Sequence, residues 1–266
     1  MLINASNLKG LAIRATDGDL GIIDDLYFDD ETWAIRYFTV DTGGWLGGRQ
    51  VLLSPISIVH ADWQAQRLEV ALNKQQVEDS PDIRTHEPVS RQQEAAFYGY
   101  YGYPNYWDGP NLWGTAYAPA GLTMPTGALA AEFANSVDAE SADSHLRSAW
   151  GTKGYYLEAS DGEIGHVSQF IVNDETWAIR YIEVSTQNWW PGKKVLISPA
   201  WVERVSWEDS KVYIAGSRET VKNCPEYNEE MPITRDYEIK LYNYYGQPPY
   251  WLNEVDHEST FSIRGA

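Results

Sequence analysis

The sequence has few cysteines, few basic residues and no long apolar run. Cys224 is the single cysteine among 266 residues, so no disulfide can form within the chain, and a reducing, cytoplasmic location is expected. No apolar run approaches the roughly 20 residues that a membrane-spanning helix needs, so we expect no membrane insertion. The start, Met1-Leu2-Ile3-Asn4, has no basic flank followed by a long apolar stretch, and we therefore expect no secretory signal.

The shortage of basic residues weighs against nucleic acid as a partner. Lysine and arginine number 20 against 38 aspartates and glutamates, which gives a net charge of −18. The acidic excess is spread along the chain: residues 1–107 carry 8 basic and 15 acidic side chains, and residues 151–266 carry 11 and 18. A protein that binds phosphates needs a basic face, and neither half has the basic excess for one. A basic protein partner stays open, although solubility alone explains an acidic surface.

Patterns that carry catalysis are also missing. No Gly-x-Ser-x-Gly occurs, and the glycine-rich stretch 43–48 lacks the Lys-Ser/Thr ending of a phosphate-binding loop. The histidines show neither close pairing nor zinc-site spacing; they are His60, His86, His145, His166 and His257. We therefore expect no enzyme, no catalytic residue and no cofactor.

What the sequence does contain is an internal repeat. Residues 10–107 align with residues 154–251 at a constant shift of 144 without a gap, and 35 of the 98 pairs are identical. The longest identical block is Asp30–Tyr37 against Asp174–Tyr181, which includes Trp33, Arg36, Trp177 and Arg180. Such self-similarity indicates two copies of one structural module.

Each copy predicts a small β-barrel. Short strands are expected at residues 11–15, 21–28, 33–40, 50–53, 56–63 and 67–72, because apolar and β-branched residues there are separated by turn residues. Asp17-Gly18 and its copy Asp161-Gly162 are typical of a tight hairpin turn. Six short strands at this spacing favour a closed or nearly closed barrel.

After each barrel the composition changes. Ser90 and Gln93 resemble a capping box and predict a short helix through Phe97. An aromatic tail follows at residues 98–107 and, more weakly, at 242–251. The domains expected are therefore a first module at 1–107, an irregular or partly disordered linker at 108–150 with a possible short helix at 128–135, and a second module at 151–266.

These motifs carry a family resemblance. Asp17–Gly21 and Asp161–Gly165 both read Asp-Gly-x-x-Gly, and each is followed by a Trp-Ala-Ile-Arg-Tyr strand and a Val-Leu-(Leu/Ile)-Ser-Pro strand. In this the chain resembles the PRC-barrel superfamily, which includes the cytoplasmic domain of the photosynthetic reaction-centre H subunit and the C-terminal domain of a ribosome maturation factor. The resemblance implies an all-β fold of two such barrels in tandem, with short helical and aromatic C-terminal extensions, packed as a pseudo-twofold dimer within one chain. It also implies a binding or assembly module rather than a catalyst, as in the many stand-alone bacterial members without an assigned activity.

Two groups of polar residues have competing interpretations. The acidic cluster of the first module could bind calcium or magnesium, but the copy keeps only two of its five carboxylates, and turn chemistry explains the rest, so no metal is expected; the cluster is Asp24, Asp25, Asp29, Asp30 and Glu31. Arg36 and Arg180 could face a ligand. The favoured alternative is an ion pair with Glu31 or Glu175, or with a neighbouring strand, that holds the barrel wall.

The aromatic tails are the best functional candidates in the sequence. Tyrosine and tryptophan combine apolar area with a hydrogen-bonding tip, which suits interfaces; the candidates are Tyr100, Tyr101, Tyr103, Tyr106, Trp107, Tyr244, Tyr245, Tyr250 and Trp251. The alternative is that each tail packs on its own barrel or on the sister barrel. The sequence thus favours a non-enzymatic protein-binding or assembly module with an unidentified protein partner, and a homo-oligomer stays open. The alternative function is the binding of a small molecule or metal ion in a cavity between the barrels.

Overall fold

The computed structural model describes residues 1–81, 89–122, 145–186 and 193–252. The possible helix at 128–135, His86 and His257 lie outside these residues. The strands are β1 (Leu2–Asn4), β2 (Ala12–Ala15), β3 (Gly18–Asp29), β4 (Ala34–Asp41), β5 (Gln50–Leu53), β6 (Ile58–Asp62), β7 (Arg67–Val70), β8 (Leu146–Ser148), β9 (Tyr156–Ala159), β10 (Gly162–Asn173), β11 (Ile179–Ser185), β12 (Lys194–Ile197), β13 (Val202–Ser206) and β14 (Lys211–Ile214). The α-helices are α1 (Lys74–Glu78), α2 (Arg91–Tyr101), α3 (Arg218–Lys222) and α4 (Arg235–Tyr245).

The strands form two sheets with the same topology. The first has the order β5-β4-β3-β2-β7-β6, and the second has the order β12-β11-β10-β9-β14-β13. In each sheet one pair is parallel, β2 with β7 and β9 with β14. The expectation of an all-β chain with two tandem sheet domains and short helical C-terminal parts is confirmed.

The first hairpin is close to its prediction. Ala15 pairs with Gly18, so Thr16 and Asp17 form the turn, and Gly18 begins β3 at a φ of 146°. The Asp17 carboxylate also accepts a hydrogen bond from the backbone N–H of Lys74 at 2.9 Å, and Asp161 accepts the equivalent bond from Arg218 at 2.7 Å. Each aspartate therefore ties the hairpin to the first residue of a short helix.

The strand β4 and its copy β11 are buried on both sides. Every residue of β4 from Ala34 to Val40 is buried, although the sequence alternates with period two. One face is covered because Tyr37 packs edge-on against Phe97 of α2, and the residues of the other face, Arg36, Phe38 and Val40, are buried as well. The block identical in the two copies is thus mainly a folding determinant.

Trp33 and Trp177 have an unusual backbone at the tip that precedes this strand. Their φ angles are 56° and 59°, in the left-handed region that non-glycine residues rarely adopt. The preceding turn is fixed by Asp29, whose carboxylate accepts hydrogen bonds from the N–H groups of Glu31 and Thr32. In the copy, neutral Asn173 takes this position and accepts from Glu175 and Thr176. A charge is not needed for the turn, which supports the turn interpretation of this part of the acidic cluster.

The helix after each barrel is longer than predicted. Ser90 forms the expected capping box with Gln93, and α2 continues through Tyr101 to a left-handed cap at Gly102. Thr234 caps α4 through its hydroxyl, which accepts a hydrogen bond from the Tyr237 N–H, and Gly246 ends the helix. The first four residues of each aromatic tail are therefore helical.

The chain divides into two compact units. One unit comprises Ile3–Gly151 with Met1 and Val172–Ile179, and the other comprises Leu2, Thr152–Ile171 and Arg180–Ala266. β8 lies within the stretch 108–150, which the sequence predicts to be irregular, and it pairs with β3 of the first unit. The domain boundaries themselves stay a prediction. None of the helices in the described ranges is long and apolar enough to cross a membrane.

Candidate functional site

A buried glutamate occupies the inner face of α2 and of α4. The Glu94 side chain is fully buried, and Glu238 is 3% exposed. Both follow the capping position by four residues, so the helix cap fixes where each carboxylate points. A buried carboxylate is costly unless hydrogen bonds and positive charges compensate it, so its surroundings define a site.

Two tyrosine hydroxyls donate to each glutamate. In the first unit, Tyr37 and Tyr106 donate to Glu94 Oε1 at 2.9 and 2.7 Å. In the second unit, Tyr181 and Tyr250 donate to Glu238 Oε1 at 2.8 and 2.9 Å.

These tyrosines act as donors because their hydroxyls stay protonated. Burial, followed by the charge of Glu94, raises the pKa of Tyr106 well above its ordinary value. Burial and the charge of Glu238 raise the pKa of Tyr250 in the same way.

Positive charges complete the network. Arg91 Nη1 lies 3.1 Å from Glu94 Oε2, and Arg235 Nη1 lies 3.0 Å from Glu238 Oε2. The first unit adds His145, whose Nε2 lies 3.1 Å from Glu94 Oε2 and 2.8 Å from the Tyr106 hydroxyl. The contacts at Glu94 Oε2 are ion pairs that lack hydrogen-bond alignment.

The electrostatics at His145 favour its charged form. Burial by itself would lower the pKa of His145, but the close contact with the Glu94 carboxylate and the negative charge of Glu94 outweigh burial. The pKa of His145 is therefore raised above its usual value. The folded chain thus holds the proton of His145 more strongly than the unfolded chain does, beside the Glu94 carboxylate.

Arg36 lies beside this network and is itself buried, at 1% exposure. Its Nη1 donates to the carbonyl of Leu112 at 2.7 Å, and its guanidinium lies 3.8 Å from the ring centroid of Tyr106. Of the two expected partners, Glu31 and a neighbouring strand, the structure shows the second, because Arg36 Nη2 lies 3.6 Å from Asp29 Oδ2 of β3. Glu31 is exposed in the turn, whereas Asp29 ends β3 with its side chain inside. The equivalent Arg180 is also buried and lies 4.1 Å from the ring of Tyr250.

In each unit, a cation–aromatic stack connects the buried network to the protein surface. The guanidinium of Arg91 lies 4.4 Å from the ring centroid of Trp107, and that of Arg235 lies 4.0 Å from Trp251. The Arg91 side chain is 19% exposed and that of Arg235 is 50% exposed. We call these pairs the Arg–Trp stacks; each combines a half-buried indole with a cation held from beneath by a buried glutamate.

The structure divides the nine predicted interface residues between core and surface. Tyr103 and Tyr106 are buried, as the alternative interpretation of packing on the same module requires. Tyr101, Trp107, Tyr245, Tyr250 and Trp251 are half-buried. Tyr100 and Tyr244 are 41% and 39% exposed, and each hydroxyl donates to a backbone carbonyl, of Gln76 and of Thr220.

Sequence reasoning did not single out the glutamates. A signal was nevertheless present, since the residues of the network are identical in the two copies; the pairs are Tyr37/Tyr181, Arg91/Arg235, Glu94/Glu238 and Tyr106/Tyr250. Identity at a glutamate inside an amphipathic helix is not needed for solubility, so it points to a buried partner.

The acidic cluster has mainly a structural role among the residues that the structure describes. Asp25 accepts hydrogen bonds from the Ser148 hydroxyl at 2.5 Å and from the N–H of Trp150 at 3.3 Å. Burial raises the pKa of Asp25. Asp30 accepts from Arg147 Nε at 2.8 Å. The cluster therefore fastens the segment around β8 to β3.

Each unit contains a mixed β-sheet followed by a helix that carries a buried glutamate. The sequence model of the PRC-barrel domain matches residues 1–74, so the first module contains a PRC-barrel domain. An uncharacterized protein of Deinococcus radiodurans is 33% identical over 87 residues, which cover 32% of this chain and 31% of that protein. The chain thus spans about a third of the length of that relative. At the level of the family, a PRC-barrel domain suggests a protein-interaction or assembly module.

Proposed function

We propose that the chain is a non-enzymatic protein-binding or assembly module that presents its Arg–Trp stacks to a protein partner. The observation that carries this proposal is the recurrence of the same half-exposed stack, Arg91 on Trp107 and Arg235 on Trp251, at equivalent positions. Tryptophan, arginine and tyrosine dominate the residues that contribute most to protein–protein binding.

The buried glutamates support this role. Each glutamate holds its arginine from the inner side, while the tryptophan holds it from the other, so the guanidinium is ordered before a partner binds. Ordering a long side chain in advance lowers the entropic cost of association. The exposed tyrosines Tyr100 and Tyr244 are fixed in a similar way by their hydroxyl hydrogen bonds.

The same contacts favour a structural rather than a catalytic role for the network. Glu94 is fully buried, and its carboxylate is already engaged by Tyr37, Tyr106, Arg91 and His145. A general base must instead reach a substrate proton at hydrogen-bond distance.

Site-specific crosslinking tests the proposal in cells of the source organism. A photo-reactive phenylalanine analogue replaces Tyr100 or Tyr244 in the full chain, and adducts are identified by mass spectrometry. We expect the same protein to be captured from both positions. The matched control is Val59, which is 66% exposed on β6 and distant in sequence from either stack.

Capture of one protein from positions 100 and 244, and not from 59, supports the proposal. Adducts at 100 and 244 that do not exceed those at 59 contradict it. A second test adds Trp251→Ala to the chain that carries the photo-reactive residue at position 244. Loss of the stack should reduce the yield of the crosslinked adduct from that position.

One observation favours a second candidate function, the binding of a small polar ligand. The second unit has an open pocket of about 450 Å³ lined by Lys194, Glu226, Tyr227, Asn228 and Glu229. A thermal-shift screen tests this, because a ligand that binds only the folded chain raises the melting temperature. A hit that Lys194→Ala abolishes would support it, and a screen without hits would count against it.

A further inference from the structure

β8 is held on the first module as an added strand. Its register against β3 pairs Leu146 with Asp29, Arg147 with Phe28 and Ser148 with Tyr27. Backbone hydrogen bonds extend this pairing at both ends, from Asp30 N–H to the His145 carbonyl at 2.9 Å and from Ala149 N–H to the Leu26 carbonyl at 2.8 Å. The strand comes from residues that follow the aromatic tail, outside the six consecutive strands of the module.

Each position of this segment has its own contact. Leu146 and Ala149 are buried at 4% and 1% exposure. The other four residues make polar contacts: His145 to Glu94 at 3.1 Å, Arg147 to Asp30 at 2.8 Å, Ser148 to Asp25 at 2.5 Å and the Trp150 indole N–H to the Asp24 carbonyl at 2.6 Å.

This arrangement has the form of peptide recognition by strand addition. In that mode the backbone hydrogen bonds supply affinity, and alternating side-chain contacts supply specificity. The β3 edge is acidic, through Asp25, Asp30 and the nearby Glu94, and the segment 145–150 supplies the matching His145 and Arg147. The pairing therefore depends on the polar side chains of the segment as well as on the burial of its apolar ones.

We propose that the β3 edge is a receptor for residues 145–150 of a second copy of this chain, so that two copies assemble by exchanging β8. The second copy is the occupant to which the contacts point, because it carries the complementary sequence. Within one chain the segment is covalently linked to β3 and therefore has a high effective concentration at that edge. In dilute solution it pairs with the β3 edge of its own chain rather than with that of a second copy. Exchange between copies forms the same contacts and therefore costs little once the internal pairing is weakened.

A charge-swap experiment on the full chain tests the exchange. Asp30→Arg places two arginines at the contact with Arg147 in one chain, and Arg147→Glu places two acids there in another. Each variant by itself therefore has two like charges at the contact between residues 30 and 147. In a 1:1 mixture, exchange of β8 restores an opposite-charge pair at both edges.

The expected result is a complex with twice the mass of one chain, seen by light scattering after size exclusion for the mixture and not for either variant alone. The double variant with Asp30→Arg and Arg147→Glu regains an ion pair of opposite charges within one chain, and it is expected to remain a monomer. A matched control swaps the ion pair Asp62–Arg67, which joins β6 and β7 within the module at 3.5 Å. Mixing Asp62→Arg with Arg67→Glu is expected to give no dimer.

A mixture of the two folded variants that stays at the mass of one chain overturns the inference, as does equal dimerisation of the Asp62–Arg67 control. If Asp30→Arg does not fold, a labelled peptide of residues 144–152 replaces it. That peptide should bind the Arg147→Glu chain, and the same peptide with Glu in place of Arg147 should not. Binding of neither peptide also overturns the inference.

This inference rests on the proposed assembly role and concerns a neighbouring element, because His145 of the segment contacts Glu94, which also holds Arg91 of the first stack. Crosslinking at positions 100 and 244 does not involve β8, so failure of the charge swap leaves the proposal for the Arg–Trp stacks standing. Conversely, β8 exchange without crosslinks at the stacks would support self-assembly and contradict docking of another protein at the tails.

Discussion

At the scale of the residue, the two buried glutamates constrain the sequence most strongly. A carboxylate removed from water costs several kcal/mol unless its partners compensate it. Glu94 and Glu238 each have two tyrosine hydroxyls and one arginine as partners, and these three partners are the same in both copies. A change at any one of these positions would leave a buried charge with incomplete compensation.

His145 adds to the first network a group that is ionisable near neutral pH, beside Glu94. The unfolded chain keeps the usual His pKa of about 6.5, and the folded chain raises it. The contribution of His145 to stability is therefore fully present below about pH 6.5 and is lost as the pH rises through the raised pKa. The groups that face His145 are Glu94 and Arg91 of α2, Tyr106 of the tail and Asp29 of β3.

We expect His145→Gln to lower the free energy of unfolding by on the order of 1 kcal/mol at pH 6, and by less at pH 8.5. The reason is that glutamine cannot carry the charge that pairs with Glu94. Urea unfolding of the wild-type and variant chains at the two pH values measures the difference. A gap between the two chains that stays constant with pH would show that the histidine acts only by packing.

At the scale of the element, the strands were predictable and the short helices were not. β3, β4 and β5 lie within a few residues of their predicted bounds, because glycine and aspartate turns separate apolar runs there. α1 was missed although Asn73 and Gln76 form a capping box, since a five-residue helix offers too few residues for a 3.6-residue period. The alternation in β4 correctly indicated a strand. It could not indicate which face is inside, because both faces are covered.

Gly21 fixes how closely β3 approaches the end of β4. Its φ is 151°, and an added Cβ would lie 2.0 Å from the Asp41 carbonyl oxygen. Gly165 has the same relation to the Ser185 carbonyl oxygen, at 2.1 Å. The second glycine of the Asp-Gly-x-x-Gly motif is therefore required by backbone contact.

We expect Gly21→Ala to destabilise the chain by about 3 kcal/mol, through a clash with rigid backbone and a strained φ. Gly44→Ala is the matched control, because a Cβ there would have open space around it, and its effect should stay within about 0.5 kcal/mol. Chemical denaturation of both variants measures the effect. Equal stability of the two variants would mean that β3 and β4 can separate at this point without loss.

At the scale of the whole molecule, β8 is the feature that the sequence could not place. Leu146–Ser148 is three residues long and shows no period-two pattern, so it was assigned to the linker. Its position depends on contacts with Asp25, Asp30 and Glu94, which lie more than 50 residues away in sequence. Interactions of that kind become visible only once the barrel is formed.

The predicted boundary at residue 107 can be tested with two fragments. We expect residues 1–151 to be more stable than residues 1–122 by at least about 2 kcal/mol, because the longer fragment buries Leu146 and supplies the partners of Asp25 and Asp30. Urea midpoints of the two fragments give the comparison. The longer fragment with Leu146→Asp is the control, since it has the same length but cannot bury that side chain. Equal midpoints for all three would place the end of the module before β8.

The parallel pairing of β2 with β7 also has a mechanical consequence. When a module is pulled by its two ends, the force acts on β2 from its start and on β7 from its end, along two strands that run side by side in the same direction. The backbone bonds between them are then loaded in shear, so they must break together rather than open one after another like a zipper. Since β9 and β14 repeat this geometry, each module is expected to resist stretching far more than an antiparallel hairpin of equal length would.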